Sequence, residues 1–385
     1  MDLRPGPIEE AFRKEVRAFL DQELPPDWPA AYQDDRKKKS AIEKSFRKRL
    51  AAKGWLTMGW PKAYGGQERS VLEQMVYNEE LAKRKAPPGR SMGVMWVGPL
   101  ILRYGMEEQK QTHISRIVAD TVNWCTLYSE PNAGSDLAGL QTPAVADGDH
   151  FVVNGQKIWT SGGHEADWGL LAARTDPQAE KHKGISMILL DMKTPGVRVK
   201  PLYDLTGDHH FNEVFFDNVR IPRSNLLGTL HGGWYQMAYG LQFERSWIAQ
   251  VVMAEQVFED LLKYARQNGI EKEPILRSKL AEIKVRLGVA RMLSLRVVWM
   301  QSKGGSPSYE SSMDKGFTSG LLQQMSQIAM ELLREYGQLE RGERRAPFKG
   351  EMQHNHRLWM GWTIAGGTSE IQKNIIALRG LGLPR

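Results

Sequence analysis

The chain has 385 residues, 41% apolar and 25% charged, a balance that suits a large globular core and excludes a disordered polymer. Its net charge is +7, but the basic residues are interspersed with acids, and the main cluster, Asp34 to Gly54, reads as a solvated helix face; nucleic-acid binding is not expected, and a modest positive balance suits a phosphate-bearing substrate. No run approaches the roughly 18 apolar residues of a membrane span, and the lone Cys125 excludes an intramolecular disulfide or a thiolate metal cluster.

The N-terminal stretch MDLRPGPIEEAFRKEVRAFL carries Glu9, Glu10 and Glu15, which fits neither a signal peptide nor a transit peptide, so a cytoplasmic protein is expected. Residues 1–119 read as helices. Phe12, Val16, Phe19 and Leu20 form one helical stripe, ended by Pro25 and Pro26, and Leu72, Met75, Val76 and Leu81 form another. From 120 to 228 the texture changes to short β-type runs, HFVVNGQKIWTS, WGLLAART, GISMILLDM and FNEVFFDNVRI. They are punctuated by turn residues, and Asn154-Gly155 gives a hairpin signal. From 229 to 385 helices return as four long amphipathic segments, beginning near Glu244, Leu276, Gly320 and Ser369, with SKGGSPSYESS as a polar linker. The expected class is α+β, mainly α: a helical domain over 1–119, a β-barrel or sandwich over 120–228, and a four-helix bundle over 229–385.

Two local motifs stand out. YSEPNAGSDLAG, Tyr128 to Gly139, enters the β region as a turn of small and hydroxyl residues. Its composition is that of a surface turn, and equally that of a loop whose amides and hydroxyls close on a phosphate-bearing ligand. NGQKIWTSGG, Asn154 to Gly163, sets Trp159 beside Thr160 and Ser161, so that an aromatic face and a hydroxyl could serve one ring, although a strand tryptophan is ordinarily core. His209-His210 and His354-Asn355-His356 lack partners at metal-ligand spacing and read as loop or surface residues.

These two motifs and the terminal Gly367-Thr368-Ser369-Glu370-Ile371-Gln372 occur in the order found in the acyl-CoA dehydrogenases, which the chain resembles over nearly its whole length. The resemblance implies FAD-dependent α,β-dehydrogenation of an acyl-CoA thioester, with electrons passed to electron-transfer flavoprotein. It places Tyr128, Ser129, Gly134 and Ser135 on the loop touching flavin and the pantetheine of the substrate. Trp159 then lies against the isoalloxazine ring, with Thr160 beside it and Ser161 at the position of the hydroxyl that bonds N5. Thr368 and Glu370 fall where the terminal segment meets the FAD ribose and diphosphate, and Gly367 falls at the substrate. Many members carry their catalytic Glu immediately before the Gly-Thr pair, where this chain has Gly366. That residue keeps only its backbone N–H, which the family uses to polarise the thioester carbonyl. A subset carries the Glu on a bundle helix in a Glu-Arg pair, which here corresponds to Glu244 as base and Arg245 as substrate neighbour. Without the resemblance, Glu244-Arg245 is an ordinary first-turn pair.

The chain departs from the family's pattern in two inter-subunit FAD segments. The Gln-x-x-Gly-Gly-x-Gly segment is absent from the region Glu335–Met360, and YARQNGIEKEP offers Arg266 but no Phe-Gly. The oligomer is therefore expected to be a homodimer, a homotetramer, or a heterotetramer with a second dehydrogenase-like chain. The rival readings are an oxidase on the same fold, a noncatalytic partner subunit, and a helical scaffold without ligand.

Overall fold

A computed structural model describes residues 5–29, 32, 35–87, 89, 91–240 and 246–384. The helices are α1 (Pro7–Glu23), α2 (Arg36–Ala52), α3 (Val71–Lys83), α4 (Gly98–Tyr104), α5 (Glu107–Val118), α6 (Gly233–Gly240), α7 (Ile248–Gln267), α8 (Pro274–Ser302), α9 (Tyr309–Leu333), α10 (Glu351–Trp362) and α11 (Ser369–Ile375). The strands are β1 (Trp124–Leu127), β2 (Ala144–Asp147), β3 (His150–Lys157), β4 (Trp168–Arg174), β5 (Ile185–Asp191), β6 (Val197–Tyr203), β7 (His209–Pro222) and β8 (Leu226–Leu227). By contacts the chain groups into two units, one of Met1–Phe46, Arg69–Pro87 and Arg245–Arg385, the other of Arg47–Glu68 and Pro88–Glu244.

The first unit is helical. α1 starts at Gly6, whose amide is taken by Glu9 (2.8 Å), and it buries Phe12, Val16, Phe19 and Leu20 as their spacing requires. α3 starts with a reciprocal cap, Ser70 Oγ accepting from the Glu73 amide and Glu73 from the Ser70 amide. α1 packs on α3 and α3 on α7. The polar groups of that contact are paired: Arg13 donates to Glu79 (3.0 Å) and Glu80 (2.6 Å), and Arg291 to Glu79 (2.5 Å) and Glu255 (3.0 Å). The bundle core runs through Val251, Phe258, Leu261, Leu280, Ile283, Leu287, Leu321, Met325, Leu332 and Trp359.

This bundle differs in detail from the expectation. α9 begins at Tyr309, within the expected linker, because its serine-rich start faces inward: Ser312, Asp314, Thr318 and Ser319 are all buried. Such a polar inner face hides the apolar period on which helix recognition depends. α10 has no counterpart among the four expected segments, and the terminal segment is a short helix continued by a π turn. His354 is not a surface residue; it is buried on α10.

The second unit holds two four-stranded sheets, β1-β4-β5-β8 and β2-β3-β7-β6, with α4, α5 and α6. β1 runs parallel to β4, and the other pairings are antiparallel. Cys125, Leu127, Phe151, Val153, Leu171, Ile188, Leu190, Val214, Phe216 and Ile221 form the core of this sandwich. The Asn154-Gly155 signal does not make a hairpin. β3 runs through it, paired with β7 on both sides, and the register shifts between Val153 and Gly155. Asn154 accepts from the Asn218 amide (2.8 Å) and Gly155 takes φ 139°, so the pair forms a bulge.

Candidate active site

In the sheet unit, the Ser-Glu-Pro loop is joined directly to the end of β3; Trp159, Thr160 and Ser161, expected on a strand, lie in the turn that follows it. The Ile158 amide donates to the Ser129 carbonyl (2.9 Å). Lys157 ends β3 with its side chain fully buried, and Nζ donates to the Tyr128 carbonyl (3.0 Å) and to Glu130 Oε1 (2.7 Å). Glu130 also accepts from the amides of Gln141 (2.7 Å) and Thr142 (2.9 Å). Burial pushes the Lys157 ammonium down to about 8, opposed by the Glu130 charge. Burial acts to raise the Glu130 carboxyl, but Lys157, Thr142 and the Gln141 amide outweigh it and hold the group below its usual range. Arg174 clamps the rest of the loop, donating to the carbonyls of Ala138 (2.7 Å), Leu140 (3.1 Å) and Lys181 (3.1 Å). Asp136 pairs with Lys181.

Just past β3 the backbone turns sharply. Trp159 has φ 59° and is 55% exposed, with its indole edge-on to Phe211 (5.6 Å, 84°). A bulky residue in the left-handed region is strained, and such strain concentrates at functional sites. The turn is held by Asn212, fully buried: its carbonyl accepts from the Thr160 amide (3.0 Å) and its Nδ2 donates to the Thr160 carbonyl (3.0 Å). Gly162, φ 63°, donates to the His210 carbonyl (2.9 Å). Thr160 Oγ1 and the Tyr128 hydroxyl are buried without a partner among the described residues. Ser129 and Ser161 are half-buried, and Gly134 and Ser135 are exposed. An exposed indole, adjacent hydroxyls and unsatisfied buried oxygens fit a planar, polar-edged cofactor such as FAD.

In the helical unit, Gly366 and Gly367 both take positive φ, 66° and 92°. A Cβ on Gly366 would meet nothing within 4 Å, whereas one on Gly367 would strike Gln372 Nε2 at 2.6 Å. Gln372 donates to the carbonyls of Gly366 (3.0 Å) and Gly367 (3.3 Å), and Lys315 Nζ donates to that of Gly367 (2.7 Å). Thr368 caps α11, its hydroxyl accepting from the Ile371 amide (3.3 Å). Glu370 is exposed in the first turn, and its own amide and the Thr368 hydroxyl hold its carboxyl below the usual range. Glu244 and Arg245 lie outside the described residues; the next described residues, Ser246 and Trp247, lead into α7. Arg266 is exposed in the last turn of α7.

Sequence reasoning gives no role to Glu130, Lys157 and Gln372, although they lie within its motifs, and does not single out Asn212 or Lys315; these five hold the segments in place. Lys157 offered one signal, a charged residue at an inward position of an alternating strand. Among the described residues no group of three His, Cys, Asp or Glu could hold a metal, and no helix is long and apolar enough to cross a membrane.

Comparison with known proteins agrees with this architecture along the chain. The acyl-CoA dehydrogenase N-terminal, middle and C-terminal domain models match residues 7–121, 125–219 and 231–381. Acyl-CoA dehydrogenase IpdE1 of Mycolicibacterium smegmatis is 34% identical over 98% of both chains. Among solved structures, the Tcur3481-Tcur3483 steroid ACAD is 32% identical with a TM-score of 0.89 over the whole of both chains. The ChsE4-ChsE5 complex from Mycobacterium tuberculosis is 31% identical with a TM-score of 0.88 over the whole of both chains. With the Trp159 and Gly366 segments folded as described, the chain belongs to the acyl-CoA dehydrogenases, a family of FAD-dependent oxidoreductases.

Proposed function

We propose that the chain catalyses α,β-dehydrogenation of an acyl-CoA thioester with Glu244 as the base. The observation that carries this reading is the Gly366–Gly367 loop: Gly366 stands where many relatives have their carboxylate, and it has no side chain and open space around its Cβ direction. The proton acceptor must then come from elsewhere, and Glu244-Arg245 is the pair that the family's alternative arrangement supplies.

In this reading Glu244 takes the α-proton and Arg245 and Ser135 hold the acyl-CoA. The Gly366 N–H, with Gly367 next to it, bonds the thioester oxygen as negative charge develops there, an interaction that needs no side chain. Trp159 covers the flavin ring, Ser161 donates toward N5, and Tyr128, Ser129, Gly134 and Thr160 line the same loop and strand. Thr368 and Glu370 serve the ribose and diphosphate end. Bound FAD supplies the acceptor for the β-hydrogen. Exclusion of water raises the basicity of Glu244 and strengthens the hydrogen bonds to the oxyanion. Electron-transfer flavoprotein is the proposed electron acceptor, and the segments 1–119, 120–228 and 229–385 are the proposed domains. The vacant side-chain position at Gly366 suits a bulky or polycyclic acyl group.

The test is Glu244→Gln. The variant should purify with its FAD and lose turnover by about 10²–10⁴-fold, the usual effect of removing a positioned base. Near wild-type turnover would sink the assignment.

A second reading has its own support. Two of the similar structures carry paired names, Tcur3481-Tcur3483 and ChsE4-ChsE5, and this chain lacks the double-glycine segment of the inter-subunit FAD site. On that reading this chain works with a second dehydrogenase-like chain, which completes its flavin site.

A further inference from the structure

α9 carries two adjacent buried ionisable residues that face two different loops. Asp314 is completely buried. Its Oδ2 accepts from the Trp247 amide (3.0 Å), and its Oδ1 accepts from Ser294 Oγ (2.7 Å) and Thr318 Oγ1 (3.2 Å). Trp247 is the residue at which α7 begins, three positions after Glu244. Ser246 adds a bond from its hydroxyl to the Ser294 carbonyl (3.3 Å). Lys315, also buried, points the other way and donates to the Gly367 carbonyl (2.7 Å). Trp247 also lies edge-on to Trp362 (6.1 Å, 79°), the last residue of α10 and four residues before Gly366.

A buried carboxylate and a buried ammonium are costly for a bundle, since aliphatic residues would fill the same volume. Burial pushes Asp314 up to about 6 and Lys315 down to about 8, which records that cost. The hydrogen bonds show what each residue does at that cost: Lys315 holds the Gly367 carbonyl, and Asp314 holds the Trp247 amide while the hydroxyls of Ser294 and Thr318 fix its carboxylate. A charged partner also makes a stronger bond to a backbone group than a neutral one.

We propose that Asp314 and Lys315 are positioning residues: neighbours on one helix, they fix the start of α7 and the Gly366–Gly367 loop at one spacing, and so set the segment that follows Glu244 against the amide of Gly366. The proposal rests on the assignment of Glu244 and Gly366 given above. Neither residue takes or gives a proton in the reaction. Asp314 acts through Trp247, and Lys315 acts through the Gly367 carbonyl, which with Gln372 keeps both glycines in their left-handed conformation.

The test is amide hydrogen exchange on the full-length chain, read by mass spectrometry for Asp314→Ala, Asp314→Asn, Lys315→Met and Lys315→Arg. Asp314→Ala should speed exchange of the amides of residues 247–250 about tenfold or more, the usual order for loss of a charge-assisted bond. Asp314→Asn keeps an acceptor and should restore most of the protection. Lys315→Met should speed exchange at 366–369 only, with rescue by Lys315→Arg. The core of α8 should keep its protection in all four variants. Unchanged protection at both segments, or uniform loss throughout the bundle, would overturn the proposal.

The same proteins are then assayed in D₂O for α-proton exchange with butanoyl-, octanoyl- and hexadecanoyl-CoA, and for binding of each thioester. Asp314→Ala and Lys315→Met should slow α-exchange about tenfold or more with little change in binding, since alignment of base and oxyanion donor is lost rather than affinity. A loss of binding with α-exchange intact counts against positioning. Absence of α-exchange in the wild-type chain with all three thioesters, while the amides respond as expected, counts against the dehydrogenation reading and leaves the anchoring supported.

Discussion

His113 on α5 sits edge-on to two tryptophans, Trp124 (5.2 Å) and Trp168 (4.6 Å), and is almost fully buried. Burial, with help from Arg116, lowers its imidazole to about 4. Between that value and the ordinary 6.5 the unfolded chain binds the proton and the folded chain does not. Stability therefore rises with pH through that window, is complete above it, and is lost as pH falls through it. The shift corresponds to about 3 kcal/mol. Calorimetric melting of wild type and His113→Phe at a series of pH values should show the wild type losing stability by about that amount relative to the variant. Parallel curves would mean that His113 is not held neutral in the fold. At this scale the sequence singles out residues that belong to a recognisable run, as Ser129, Trp159, Ser161 and Gly366 do, and their roles belong to the proposal above. It was silent on His113, Asn212 and Asp314, whose environments come from segments far away in the chain. The assignment of Glu244 and Arg245 rests on the family resemblance, and the Glu244→Gln variant tests it.

Among the elements, β3 and the loop after β1 behave as one piece because of a buried ion pair. Lys157→Met should leave the largely buried Glu130 carboxylate without its cation, at a cost of up to about 3–5 kcal/mol, the range for breaking a buried pair. It should also release the Tyr128 carbonyl and so loosen the loop, which a fall in melting temperature and in flavin absorbance per chain after gel filtration would report. Retention of both would mean that the Ser129–Ile158 bond, the Arg174 clamp and the amides on Glu130 carry the loop without the ion pair. The strands were legible as short apolar runs, alternating in β3 and β7 and continuous in β4 and β5, with Gly and Asp between them. The bulge at Asn154-Gly155 was not, since a dipeptide signals a turn whether or not strands on either side already have a partner. α9 was half legible for the opposite reason: its first turns bury serine, threonine and aspartate, and only the later turns show the leucine period on which recognition relied.

For the whole molecule, the order of helices, sheets and helices was legible because each segment type has its own period, and three motifs in register tied that order to a family. The same motifs say little about assembly. If the chain completes its own cofactor site, it should purify alone with close to one FAD per chain; if it needs a second dehydrogenase-like chain, it should purify nearly colourless and take up flavin on co-expression. Absorbance and size-exclusion measured together decide between the two. An oxidase would differ at the next step, producing peroxide from oxygen during turnover.

The adjacency of Asp314 and Lys315 also constrains how chains of this kind can change length. Inserting or deleting one residue rotates everything beyond it by about 100° around a helix. A length change between Tyr309 and Asp314 would turn both side chains away from their partners at once, whereas one in the loop from Lys303 to Pro307 would be absorbed before α9 begins. Relatives should accordingly vary freely in that loop and keep a fixed count through the first turns of α9. A bundle helix then acts as a ruler between two irregular segments, and its reading changes in whole residues rather than by degrees.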